Sequence, residues 1–307
     1  MDGKTLADQL YQLLLEDSTS DYIDAKTTYD NFYEAACEWV RRTRCITSAQ
    51  TITTVALQSE YDLSADFFFG NLRDDKNRDV IKYNDGTNDS FLTFREWNAI
   101  TYGNDTTAVS IPYNFSITDK EVAANITGTA TSDGTASNGE CTLTNTGGIS
   151  GVTVGDDIHN TNDGSHGKVI EITSTTAIKT ALFYGTNNDW TSADAYTIVP
   201  QAKKQLVINP PPSASAHTIT VYYVQKPLPV YSLFRSYRID DIYAPALVKY
   251  AAWLYKYRDS DDQTGDAWYK YFDNQARMCS HDLVKSYKRN SLKVNLQKRS
   301  LYDRSYR

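Results

Sequence analysis

Cysteine, histidine and methionine are scarce in this chain, with four, four and two copies among 307 residues. Cys37, Cys45, Cys141 and Cys279 stand far apart and form no CxxC pair, a spacing that suits neither a zinc knuckle nor a disulfide framework. A reducing compartment is the simplest setting for them. No run approaches the roughly 20 apolar residues that span a bilayer. No cationic, apolar leader precedes Thr5 either, so assembly in the cytoplasm and no membrane partner are expected. Triplets such as Asn125-Ile126-Thr127 then read as chance in a Thr-rich chain.

Catalytic motifs are missing as well. His159, His166, His217 and His281 sit beside no nucleophile pattern, and there is no GxSxG elbow. GSHGK at 164–168 lacks the spacing and the following Ser/Thr of a phosphate loop. Carboxylate pairs exist, but no spacing singles out one for glycoside hydrolysis. The expectation is a protein that is not an enzyme and needs no cofactor. One polar stretch, GDDIHNTNDGSHG at 155–167, places Asp156, Asp157 and Asp163 where calcium would find oxygen ligands. Its spacing is not that of an EF-hand, and Asn-Asp-Gly is also what a hairpin turn demands, so turn chemistry is the preferred reading.

Tyrosine, by contrast, is abundant at 23 copies, which favours pleated strands and wide amphipathic contact surfaces. Charge is unevenly placed. Lys285, Lys288, Arg289, Lys293, Lys298, Arg299, Arg304 and Arg307 face one acid, Asp303, so the last 23 residues carry +7. With a net charge of −7 overall, the rest carries −14. The basic arm reads as a solvated, partly disordered end, as a segment that orders on a partner or on a second copy, which is the favoured alternative, or, third because an acidic body repels phosphate, as a nucleic-acid binder.

Leu6, Leu10, Leu13 and Leu14 keep helical spacing, as do Tyr29, Phe32, Tyr33, Ala36 and Val40. Asp24 or Ser20 caps the second helix, and RRTR at 41–44 places cations at its C-terminal end. From Thr47 the texture changes to Thr/Val/Ile/Tyr alternation with Asn-Asp-Gly punctuation. Ser90 to Ile100 reads either as strand or as a short helix. Residues 121–200 are rich in Gly, Thr, Asn and Asp, and carry the short runs CTLTNT, GVTVGDDI, KVIEITS, TALFYG and AYTIV. These predict a small all-β sandwich or barrel inserted into a host sheet that resumes at QLVIN and TITVYYVQ. Pro227 and Pro229 stop that sheet. A helical hairpin follows, N-capped at Asp240 or Asp241, with Pro245 in its first turn. The aromatic clusters WLYKYRD and WYKYFD on the hairpin suit packing on a helix or a neighbouring subunit better than base stacking.

The predicted class is therefore α+β: a helical bundle of N- and C-terminal helices, an antiparallel sheet or sandwich, and an inserted small all-β domain. The parts are N-terminal helices (1–48), β-rich core (49–120), insert (121–200), return strands (201–230), helical hairpin (231–288) and basic arm (289–307).

Three stretches carry a family likeness. They are SEYDLSADFFFGNLRDD, with Tyr61, Leu63, Ala65, Asp66 and Phe67; FREWNAI, ending around Trp97; and VYYVQKPLPVY followed by DDIYAPALVKYAAWLYKY. In this order they resemble the head-to-tail adaptor (connector) proteins of tailed bacteriophages, especially the portal-docking, tail tubular protein A-like adaptors of short-tailed phages. The likeness covers about residues 22–120 and 201–285. It implies a non-catalytic virion protein at the head–tail junction that forms a ring, usually twelvefold, under the portal, with DNA passing through the lumen during genome ejection. Its implied partners are copies of itself, the portal protein and a downstream tail or nozzle protein, with capsid or tail fibres as contacts of the insert. Ring-interface candidates are Tyr250, Trp253, Tyr257, Trp268, Tyr269 and Phe272, and the basic arm is the portal-docking element. An acidic or neutral lumen would let DNA slide without adhesion. The alternative is a virion binding module whose insert recognises capsid, tail fibre or glycan.

Overall fold

The computed structural model describes residues 1–16, 23–71, 80–97, 111–258 and 264–283. Two helices open the chain, α1 (Gly3–Leu14) and α2 (Ala25–Thr43). Six strands follow: β1 (Thr47–Thr53), β2 (Glu60–Asp62), β3 (Phe67–Gly70), β4 (Val80–Asn84), β5 (Asp89–Phe94) and β6 (Asn114–Asp119). Within 121–200 lie β7 (Ile126–Thr129), β8 (Cys141–Thr144), β9 (Asp157–Asn160), β10 (His166–Ile172), β11 (Ala177–Phe183) and β12 (Ala195–Val199). β13 (Lys204–Asn209) and β14 (Thr218–Gln225) return to the first sheet. A 3-10 turn (Asp241–Tyr243) then leads into α3 (Ala244–Arg258), and residues 264–283 form a further helix, α4.

The caps explain the helix limits. Asp2 and Asp24 accept the N–H of Thr5 and Thr27, each at 2.8 Å, which satisfies a donor the helix itself leaves orphaned. Leu15 and Arg44 close α1 and α2 in the left-handed conformation, the usual way to bend a chain out of a helix. Asp240 caps the 3-10 turn, and Pro245 falls at the start of α3, where its missing amide costs nothing. Ser20 lies outside the described residues.

Strand order in the first sheet is β1-β14-β4-β5-β6-β13-β2, with β3 also on β14. β14 is its spine. Residues Thr218–Val224 pair with β1, while its other side is shared between β4 at Thr218–Thr220 and β3 at Tyr223–Gln225. The sheet curls until its ends meet, and there Gln50 of β1 replaces a ladder rung. Its side chain donates to the Asp62 carbonyl (3.1 Å) and accepts from the Ser64 amide (2.8 Å). The second sheet, β7-β12-β9-β10-β11-β8, is drawn together in the same way, with the Thr131 amide donating to the Thr144 carbonyl at 2.8 Å. Every strand of this sheet lies in 121–200, and its core is built from Leu143, Ile158, Val169, Ile178, Trp190 and Ile198.

Two features correct the predicted fold class. The described residues are mostly β, in two curled, nearly closed sheets, and the N- and C-terminal helices form no bundle. The helical periodicity is real, but the buried stripes of α1 and α2 are shared among α3, α4 (Phe272, Ala276, Cys279) and non-helical residues, namely Ile46, Val224, Val230, Tyr237 and Ile239. A bundle needs stripes that face one another. The sheet is also not purely antiparallel, since β5 and β6 run parallel through Thr93–Asn114 and Phe94–Phe115. Within the insert, GVTV is irregular and its strand begins only at Asp157.

Candidate functional site

The two surfaces with the densest side-chain chemistry are the aromatic face of α3 and α4 and the joint between the insert and the core. On the first, Tyr250 and Phe272 are buried with ring centroids 4.6 Å apart, so both rings pack inside the chain. Trp253 and Tyr269 are half-buried at 4.8 Å, and Tyr257, 67% exposed, continues the ladder outward at 6.0 Å from Trp253. Trp268 is half-buried at the edge. Of the six ring-interface candidates, four therefore present surface.

Arg42 rivets this face to α2. Its guanidinium donates to Glu38 and to Asp273, both at 2.5 Å, and to the Tyr269 hydroxyl at 2.7 Å, and lies 5.5 Å from the Tyr269 and Phe272 ring centres. Burial alone would raise the Glu38 carboxyl, but hydrogen bonds from Arg41 and Arg42 hold it below the usual carboxylate range. The sequence marked RRTR only as a complement to the helix dipole. Nothing local distinguishes Arg42 from Arg41; the difference is that Arg42 faces α4.

The insert meets the core through rings and a charged clamp. Tyr29 of α2 and Tyr231 close on Ile170, Ala181 and Phe183 of the insert, with Tyr29–Phe183 at 6.2 Å and Phe183–Tyr231 at 6.4 Å. Such pairs add about 0.5–1.5 kcal/mol each beyond the area they bury. Beside them Arg235 donates to both oxygens of Glu140, at 2.6 and 3.1 Å, and to Glu171. Lys179 stands 3.7 Å from both carboxylates, and the Ser232 hydroxyl donates to Glu140 at 2.7 Å. Burial opposes ionisation of Glu140, yet Arg235 and Ser232 hold its carboxyl below the ordinary value; Arg235 does the same for Glu171. At the other rim the Tyr184 hydroxyl donates to Asp24, the α2 cap, and burial together with that carboxylate pushes the phenol up to about 12. The sequence reading named none of Arg235, Glu140, Glu171 or Tyr184. These residues are far apart in sequence, and no motif marks them.

Two of the three calcium candidates are engaged by the backbone and the third by a lysine. Asp156 is fully buried and accepts from the Thr153 amide, the Thr153 hydroxyl and the Gln201 amide at 2.7–3.0 Å. Asp163 accepts from three successive amides, Thr186, Asn187 and Asn188, at 2.8–3.3 Å. Asp157 pairs with Lys168 at 2.8 Å. Among the described residues no three His, Cys, Asp or Glu side chains converge as a metal set. His217 is held by the Tyr83 hydroxyl at 2.6 Å. No helix among the described residues is long and apolar enough to cross a membrane. The eight cations of the arm, Lys285 to Arg307, lie outside the described residues.

Residues 121–292, more than half of the chain, match the family model described as SU10 adaptor protein. No curated protein matches the chain.

Proposed function

The chain belongs to the SU10 adaptor protein family, a phage structural adaptor and virion component, and from that premise we propose that it is a head-to-tail adaptor. Copies close into a ring under the portal, twelvefold as in the adaptors it resembles, leaving a channel for DNA and performing no catalysis. What carries the reading is the extent of the family match, which runs through the insert, the return strands and both C-terminal helices as one unit.

A cyclic ring needs two unlike faces on each subunit that meet head to tail. Tyr257 at 67%, Ile242 at 72% and Met278 at 58% exposure supply apolar surface on the helical side, the kind of contact that oligomer interfaces bury. The acidic body favours a lumen over which phosphates slide. The basic arm, +7 over 285–307, suits a segment that orders only when it docks on the portal, so its ordering entropy is lost at assembly and not during folding.

The test is electron microscopy and light scattering of the purified chain with its portal. Rings are expected on the portal, and deletion of residues 286–307 is expected to abolish attachment with the circular dichroism spectrum unchanged. Full attachment of the truncated chain would overturn the arm's role. A chain that stays monomeric on the portal, or a lumen lined by Lys and Arg, would overturn the ring-and-channel reading.

A further inference from the structure

The segment at 155–167 stood out in the sequence for its oxygen donors; Asp156 and Asp163 hold the backbone, and Asp157 pairs with Lys168. Folding does something else with its two histidines. β9 and β10 are antiparallel, and their register sets His159 directly opposite His166. The imidazole centroids are 5.7 Å apart with an interplanar angle of 22°. His159 is exposed, whereas His166 is half-buried and braced by the Tyr184 ring at 5.0 Å.

We propose that His159 and His166 form a two-nitrogen site for a borderline divalent transition metal, of the nickel or zinc type. A metal–nitrogen bond of about 2.1 Å puts each ring centre about 3 Å from the ion, so two rings on one ion have centres up to about 6 Å apart. The observed separation falls inside that limit. The rings are stacked, so binding one ion requires a side-chain rotation at exposed His159 that turns one of its nitrogens toward a nitrogen of His166. Water completes the coordination, as at any site with open positions. Imidazole suits these metals and not calcium, whose oxygen ligands here are already committed. Two residues along the same register, Lys168 is paired with Asp157 at 2.8 Å, which offsets its charge against a dication.

Other soft donors compete poorly. Burial raises all four thiols, Cys37 to about 11 and Cys141 to about 12, with Cys45 and Cys279 moved in the same direction, which keeps them protonated at neutral pH. His217 is tied to Tyr83. An ion on the pair would clamp β9 to β10 next to Tyr184, the residue that hooks the insert to Asp24.

Calorimetric titration of the full chain with Ni²⁺, and separately with Zn²⁺, tests this at neutral pH. One site is expected, with a melting temperature that rises with metal. His159→Gln and His166→Gln are each expected to weaken binding at least about tenfold and to remove the metal-dependent rise in melting temperature. His281→Gln should leave both unchanged. Equal affinity in the wild type and in both pair variants, or no heat and no thermal shift at millimolar metal, overturns the assignment. Far-UV circular dichroism of the variants keeps loss of binding distinct from loss of fold.

Discussion

The core and the insert solve the same problem, fixing turns between short elements, with different chemistry. In the core the joints are rings. Trp39, fully buried, packs 4.9 Å from Tyr243 and 5.6 Å from Phe272, and Tyr250 adds a further ring at 4.6 Å. In the insert the joints are carboxylates and carboxamides. Asp156 and Asp163 collect backbone amides, the Asn160 side-chain Oδ1 accepts from the Asn162 and Asp163 amides, and its Nδ2 donates to Asp194. Strands of four to seven residues leave many turns per strand, and each turn exposes donors that must find acceptors. The Asp/Asn density of 121–200 is thus a device for closing turns in a unit too small to bury a ring at each one.

Replacing the central tryptophan on each side strains this comparison most. Trp39→Ala and Trp190→Ala each remove a fully buried indole, costing about 3–5 kcal/mol. Hydrogen exchange is expected to show the first loosening the helices and the host sheet and the second only β7 to β12. Equal loss of protection across the whole chain in Trp190→Ala would break the comparison.

Next in size is the joint between the two. Arg235→Met leaves Glu140 and Glu171 facing each other without their shared donor. We expect a loss of about 1–3 kcal/mol, at the low end because Glu171 is partly exposed to solvent, read as faster exchange in α2 near Tyr29 and in β11. Acid should act in the same direction. The folded carboxyls of Glu140 and Glu171 sit below their ordinary 4.5, so their contribution is complete above that value. It is lost as pH falls through the lowered folded values, and joint protection should therefore weaken only below about pH 4.5.

Smaller effects separate the insert's own acids. Asp163→Ala strips three amides of their acceptor and is expected to lower the insert's stability by about 1–2 kcal/mol in urea titration. Asp157→Ala breaks only an exposed pair with Lys168 and should cost at most about 1 kcal/mol. Should Asp157→Ala prove the more damaging, the backbone-closing role of these carboxylates would be wrong.

Local order was legible in the sequence, because it is decided by a few adjacent residues. Asp24 and Asp240 announce helix starts through the amides they accept, Pro227 and Pro229 end β14 by lacking a donor, and Leu6, Leu10 and Leu14 mark a buried stripe by spacing alone. Helix association was not legible. The stripes of α1 and α2 do not say what covers them, and here loop and sheet residues share that role with α3 and α4.

What the amino-acid sequence determined on its own was the set of elements, their caps and breaks, and the acidic body with its basic end, all of which follow from periodicity, capping and charge within a short window. Only the tertiary structure decided that Gln50 closes one sheet, that Arg42 and Arg235 are rivets while neighbouring arginines are not, and that His159 faces His166. Each of these depends on strand register and long-range packing, which bring together residues as distant as Arg42 and Asp273, 231 positions apart. The free energy of such a contact belongs to the pair and is written in neither partner's local sequence.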